Sequence, residues 1–192
     1  LLPYKFVVHT HPMLVNAMTC GKEGKSIAAK LFPDAMWMDY CDPGLTLAVE
    51  FKKAVEAFGK APKVAFLGNH GVFVAADSQE EIKALYADIM DKLAAFVTAQ
   101  GIPLEENAAP CCMETVFENA PVLRGLLGKV ATVTAGGAFK APEGPLTPDH
   151  IVYAGSFPLS ADLPDASAVE AFKASHGTMP KVVEIPGKVV FG

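Results

Sequence analysis

Two spacings of apolar residues alternate along the chain, one typical of strands and the other typical of helices. Short runs of β-branched and aromatic residues, closed by proline or glycine, predict strands. Helices are predicted where apolar residues return every three or four positions. The predicted strands cover residues 5–11, 35–38, 64–67, 72–75, 182–185 and 188–191, and the predicted helices cover residues 13–20, 26–31, 46–58, 78–100 and 110–128.

Capping residues mark where several helices begin. Ser78, followed three residues later by Glu81, forms a capping box. Ser26 is predicted to cap the short helix that follows it, and the tripeptide beginning at Thr147 predicts an N-cap and the first turn of a further helix. Residues 130–134 are predicted as a strand or as a transition from helix to strand.

Composition and charge narrow the class of protein. The chain has 192 residues, of which 51% are hydrophobic and 19% charged, so it can bury a large core without disulfides. Its net charge of −5 and the lack of a long basic run argue against nucleic acid and anionic membranes as partners. We therefore expect a small-molecule ligand.

The four cysteines have no metal-binding or disulfide spacing. They are predicted to be reduced thiols of a cytoplasmic protein, acting mainly as small buried hydrophobes. They stand at Cys20, Cys41, Cys111 and Cys112.

Neither a membrane span nor a signal peptide is predicted, because no apolar run approaches the roughly 20 residues that a bilayer requires. The chain begins with Leu1 and enters a strand almost at once. We therefore expect the sequence to be a fragment that has lost a segment upstream.

Three histidines form the strongest chemical signal. His9 and His11 stand two residues apart in a predicted strand, so their side chains project from the same face. His70 stands in Gly68-Asn69-His70-Gly71, a sequence typical of a tight hairpin turn, where packing does not explain a histidine. Three imidazoles that leave one position open are typical of a catalytic divalent-metal site, although unrelated histidines with separate hydrogen bonds would fit the spacing too.

The other polar candidates have simpler interpretations. His150 is either a substrate contact or a capping residue, and His176 is predicted to end a helix before a glycine. Asp39 and Asp42 fit either acid/base carboxylates or loop caps. The loop over residues 21–25 could bind an anion through its amides and lysines, but a solvated turn explains it better.

The order of these motifs resembles that of the class II aldolase/adducin family. The resemblance rests on Val7-Val8-His9-Thr10-His11-Pro12, then on Gly68-Asn69-His70-Gly71-Val72-Phe73-Val74, then on the capped helix at Ser78. The stretch over residues 146–153 resembles the end of the aldolase domain in bifunctional rhamnulose-phosphate aldolase/dehydrogenase proteins.

The resemblance implies an α/β fold, with three α/β/α layers around a mainly antiparallel central sheet. It also implies a homotetramer, and a zinc ion, or another divalent metal, held by His9, His11 and His70. Residues 1–137 are expected to form the family's core without its N-terminal part, and residues 138–192 an extension packed on the same domain.

The implied reaction is cleavage or formation of a carbon-carbon bond in a sugar phosphate, with the metal as Lewis acid. In similar aldolases, a glutamate that acts as acid and base and a phosphate-binding loop lie upstream of the strand that matches residues 5–11, so no catalytic residue of this kind is assigned here. Two alternatives remain open: a sugar-phosphate 4-epimerase or dehydratase, and an adducin-like binding module without catalysis.

Overall fold

A computed structural model describes residues 1–104, 108–128 and 132–192 of the chain. Its internal contacts divide the chain into two compact units, Leu1–Leu104 and Glu105–Gly192. This division comes earlier than the boundary predicted between residues 137 and 138, because Leu123 is buried in one core with the C-terminal strands. That residues 138–192 pack on the first unit stays a prediction.

The first unit carries the three histidines and contains one sheet with helices beside it. Its strands are β1 (Phe6–Thr10), β2 (Met36–Met38), β3 (Val64–Leu67) and β4 (Gly71–Ala76), and its helices are α1 (Met13–Thr19), α2 (Gly24–Leu31), α3 (Leu45–Phe58) and α4 (Gln79–Ala99).

The sheet has the strand order β1-β4-β3-β2. β4 pairs antiparallel with both β1 and β3, whereas β2 pairs parallel with β3. The directions of these pairings place the C-terminal ends of β1, β2 and β3 at one edge of the sheet. The predicted mainly antiparallel sheet is confirmed.

Side chains on the two faces of the sheet enter two different cores. On one face Phe66, Val72 and Val74 are buried with residues of α1, α2 and α4, including Val15 and Ile89. On the opposite face the alternate strand residues pack with α3. They are Met36, Met38, Ala65 and Leu67, which lie against Phe51. The sheet is therefore the middle layer of a three-layer α/β/α arrangement, as predicted.

The second unit has its own small sheet and core. Its elements are α5 (Met113–Leu126), α6 (Pro148–Ala154), β5 (Leu159–Ser160), α7 (Ala166–His176), β6 (Val183–Ile185) and β7 (Val189–Phe191). β6 pairs parallel with β5 and antiparallel with β7. Val183, Ile185 and Phe191 are buried against Leu123 of α5 and Phe172 of α7.

Most predicted elements are present, but one predicted cap is wrong. α2 begins at Gly24, so Ser26 lies inside the helix, and its hydroxyl donates to the Glu23 carbonyl. The helix begins at a position that only glycine fits, because a Cβ atom at Gly24 would lie 2.1 Å from the Met18 carbonyl oxygen.

In the second unit, β5 was not predicted, and of α7 only its end at His176 was. Residues 129–131 lie outside the described parts, and residues 132–134 of the strand predicted over 130–134 are not in a strand. Within this stretch, Thr134 exchanges two backbone hydrogen bonds with Gly192. No helix in the described parts of the chain is both long enough and apolar enough to cross a membrane.

Replacing Ser78 with alanine should destabilise the first unit by about 1 kcal/mol, the usual effect of losing an N-cap. The Ser78 hydroxyl accepts a hydrogen bond from the Glu81 amide at the start of α4, and alanine leaves that donor without its cap. Urea denaturation followed by circular dichroism measures the change.

Ser26→Ala is the matched control for Ser78→Ala. Because Ser26 lies inside α2 and caps nothing, its loss should change the free energy of unfolding by less than about 0.5 kcal/mol. Equal effects of the two substitutions would contradict the assignment of the caps.

Candidate metal centre

Strand β1 contains His9, and His11 directly follows the last residue of the strand. His9 lies opposite Phe73 of β4, and its ring lies 4.4 Å from the Phe73 ring, on the face covered by α3. Thr10 points to the other face, where its hydroxyl oxygen lies 2.7 Å from the Tyr86 hydroxyl of α4. The alternation predicted from the sequence is therefore present.

The turn between β3 and β4 presents the third ligand. The His70 amide donates to the Leu67 carbonyl, which closes a four-residue turn. Asn69, the third residue of this turn, has a φ of 52°, and asparagine is one of the few residues that tolerate this left-handed conformation. The Asn69 amide donates to the Thr19 carbonyl, so the tip is also attached to the end of α1.

The three imidazoles converge. The Nε2 atom of His9 lies 3.0 Å from Nε2 of His11 and 3.3 Å from Nε2 of His70. One ligand atom from each of the three residues lies within 4.8 Å of those of the other two. Two nitrogens bound tetrahedrally to one zinc ion at about 2.0–2.1 Å are separated by about 3.3–3.4 Å, so the spacing fits such an ion.

A backbone carbonyl sets the protonation of His9. Its Nδ1 atom lies 3.1 Å from the Val72 carbonyl oxygen, which only accepts hydrogen bonds, so Nδ1 carries the proton. The Nε2 atom of the neutral ring then keeps its lone pair and faces the other two histidines. Metal-binding histidines commonly have this kind of support from a second partner.

Gly71 leaves room for the ring of His11. A Cβ atom at this position would lie 2.6 Å from Cδ2 of His11 and 2.6 Å from the Thr10 carbonyl oxygen. Both distances are too short for any side chain. Glycine at the start of β4 is therefore required by the close approach of His11 and of the Thr10 carbonyl.

The surroundings of the centre are apolar on one side and open on the other. Phe73 contacts both His9 and Phe51, and it also lines a cavity of about 300 Å³ together with Val7 and Leu47. His9 is exposed, whereas His11 and His70 are half-buried. A small molecule can therefore reach the ligand atoms.

The two aspartates considered from the sequence have other partners. Both oxygens of Asp39 lie 3.0 Å from the Lys25 ammonium, and the Trp37 indole donates to one of them. These hydrogen bonds, chiefly that of Lys25, hold the pKa of Asp39 below its ordinary value. Asp42 accepts a hydrogen bond from the Tyr40 hydroxyl. Ion pairing and loop contacts explain both residues.

The remaining histidines belong to the second unit. The His150 amide donates to the Thr147 hydroxyl, so Thr147 is the N-cap of α6, as predicted. His176 ends α7, as predicted, and its ring stacks on Phe157. The four cysteines are free thiols.

The spacing of residues in the sequence indicated the three histidines but not the residues that support them. The hydrogen bond between His9 and the Val72 carbonyl could not be predicted, because every residue has a backbone carbonyl. Strand register decides which carbonyl lies beside His9. Gly71 carried a visible signal, since glycine directly after a turn histidine indicates close backbone approach. The contact between Thr10 and Tyr86 spans 76 positions and depends on tertiary packing.

Replacing Gly71 with alanine should displace the His11 ring and weaken metal binding by at least about tenfold, the lower range for loss of a supporting residue. The reason is the 2.6 Å approach of the new Cβ atom to that ring. Competition with a chromophoric zinc chelator measures the affinity.

Gly125→Ala provides the control, because a Cβ atom at Gly125 in α5 would meet no atom within 4 Å. This variant should bind zinc like the parent protein. Parental zinc affinity in Gly71→Ala would show that the close approach does not constrain His11.

Comparison with known proteins agrees with the geometry. Residues 2–97 match the family model described as the class II aldolase and adducin N-terminal domain. A relative from Bacillus subtilis (strain 168), the uncharacterized oxidoreductase YuxG, is 24% identical over 190 residues. That match covers 84% of this chain and 27% of the relative, so the chain spans about a quarter of the relative's length.

Two solved structures are also similar. The N-terminal class II aldolase domain of a conserved protein from Thermoplasma acidophilum is 28% identical, with a TM-score of 0.44, over 50% of this chain and 44% of that one. An aldolase II superfamily protein from Pseudomonas syringae is 23% identical, with a TM-score of 0.40, over 59% of this chain and 48% of that one. Because the family model matches half of the chain and includes all three histidines, the chain belongs to the class II aldolase/adducin family.

Proposed function

We propose that this chain provides the metal centre of a zinc-dependent aldolase-type lyase. The substrate would be a phosphorylated ketose or a related hydroxy-carbonyl compound. The observation that carries the proposal is the convergence of the Nε2 atoms of His9, His11 and His70. Family membership supports it, because class II aldolases belong to this family.

The donor set fits a borderline-soft divalent ion such as zinc. Imidazole nitrogens suit zinc, and three protein ligands leave a coordination position for water or substrate. When bound, such an ion supplies a Lewis acid for the substrate carbonyl and for the negative charge left when a carbon-carbon bond breaks.

The chain's own residues would hold and orient this centre. Val72 keeps the proton of His9 on Nδ1, so Nε2 is ready to bind without losing a proton first. The short turn around Asn69 limits the movement of His70. The half-buried environment of His11 and His70 strengthens electrostatic interactions relative to bulk water.

Metal content is measured on the purified chain, where we expect about one zinc ion. Catalysis is assayed on the native, full-length protein, because no acid/base glutamate or phosphate-binding loop is assigned in this sequence, and we expect aldehyde release from at least one ketose 1-phosphate. An epimerase assay with a pentulose 5-phosphate runs beside it. Bound zinc without aldehyde release would contradict the lyase proposal, and epimerisation in its place would favour the alternative reaction. A folded protein that binds no zinc would favour an adducin-like module.

Replacing His70 with alanine should lower zinc affinity by more than roughly 100-fold, because even loss of a supporting residue costs about 10–100-fold. Activity should fall with zinc occupancy. His70 lies in a turn, so the circular dichroism spectrum should change little. Titration with a zinc chelator measures the affinity.

The matched control is His176→Gln, which changes a histidine that lies in the second unit. Its zinc affinity should equal that of the parent protein. Unchanged zinc content in His70→Ala would refute the assignment of the third ligand.

We also propose that the protein forms a homotetramer, as the family resemblance implies. Light scattering coupled to size-exclusion chromatography measures the mass directly. A monomer at micromolar concentration would contradict this proposal and would leave the metal centre unaffected.

A further inference from the structure

A hydrogen bond on the far side of the sheet connects the histidine strand to α4. Thr10 lies between His9 and His11 in the sequence, and its hydroxyl oxygen lies 2.7 Å from the Tyr86 hydroxyl. Because side chains alternate along a strand, this bond holds β1 from the face opposite to the two imidazoles.

Side chains attach strand β1 to its neighbours on both faces of the sheet. On one face, His9 is hydrogen-bonded to the Val72 carbonyl and contacts the Phe73 ring of β4. On the other face, Val8 packs in the core shared with α4, while Phe6 is 38% exposed. The Thr10–Tyr86 contact adds a directional hydrogen bond to this second face.

Tyr86 is itself on a rigid support. Helix α4 is capped by Ser78, and its residues Ile82, Ile89 and Leu93 are buried in the core beneath the sheet. Tyr86 lies half-buried between the first two of these positions. The position of its hydroxyl is therefore set by the packing of the helix.

Metal binding is sensitive to small movements of such a strand. Ligand distances in a well-formed site vary by only about 0.2 Å, and His9 and His11 are both covalently adjacent to Thr10. A shift or tilt of β1 would therefore move both imidazoles together relative to His70, which lies in the turn between β3 and β4.

We propose that Tyr86 is a positioning residue for the three-histidine centre. The hydrogen bond between its hydroxyl and that of Thr10 fixes the distance and tilt of β1 relative to α4, and thereby aligns His9 and His11 with His70. This inference rests on the proposed metal centre and adds a residue on α4 that acts on it without touching the metal or a substrate.

A double-mutant cycle on zinc affinity tests the coupling. The variants are Tyr86→Phe, Thr10→Val and the double variant, since valine keeps the shape and the strand preference of threonine. Each single change should weaken zinc binding by about twofold to tenfold, the range for one lost neutral hydrogen bond. The double variant should bind zinc no less tightly than the single variant with the lower affinity, because each single substitution already removes the same hydrogen bond.

A spectroscopic measurement separates positioning from a general loss of stability. The visible spectrum of the cobalt-substituted protein reports ligand geometry, and it should change in Tyr86→Phe. Tyr153→Phe is the control, because Tyr153 is 77% exposed and lies in the second unit. Its zinc affinity and cobalt spectrum should equal those of the parent protein.

Two results would overturn the inference. One is a Tyr86→Phe variant with a lower melting temperature but parental zinc affinity and cobalt spectrum, and the other is a double variant whose loss equals the product of the single losses. A parent protein that binds no zinc would instead refute the metal centre itself, so the two failures are distinguishable.

Discussion

The antiparallel register between β1 and β4 is the constraint on which the histidine centre depends. Pairing of His9 with Phe73 and of Thr10 with Val72 brings the end of β1 beside the beginning of β4. His70 directly precedes β4, so this register brings a turn residue to two residues that lie about 60 positions earlier. A slip of one residue would turn both imidazoles of β1 toward α4 and separate them from His70.

Steric and hydrogen-bonding details then adapt this register to chemistry. The absence of a side chain at Gly71 leaves space for the His11 ring, and the Val72 carbonyl holds the proton of His9 on the nitrogen that faces away from the centre. Both features belong to the first two residues of β4. Gly71 therefore leaves space for the His11 ring, and Val72 fixes which nitrogen of His9 carries the proton.

The layered arrangement explains how an accessible site can also be rigid. Polar ligands lie at the edge of the sheet, while Phe66, Val72 and Val74 anchor its middle in the core shared with α4. Close packing in that core resists small displacements, so the sheet that carries the exposed His9 is anchored by buried side chains. The second unit has a separate core around Leu123 and Val183.

Local patterns were sufficient to predict most of the elements and the three histidines that the fold brings together. Strand alternation placed His9 and His11 on one face, the glycine-rich turn singled out His70, and the capping box located the start of α4, because these signals depend on neighbours within a few residues. The start of α2 was predicted wrongly, since it depends on the approach of Gly24 to Met18 across a loop. The use of the Val72 carbonyl, the space beside Gly71 and the bond between Thr10 and Tyr86 were likewise decided by the tertiary structure. Each depends on atoms from distant parts of the chain, which only strand register and helix packing bring within hydrogen-bonding or contact distance.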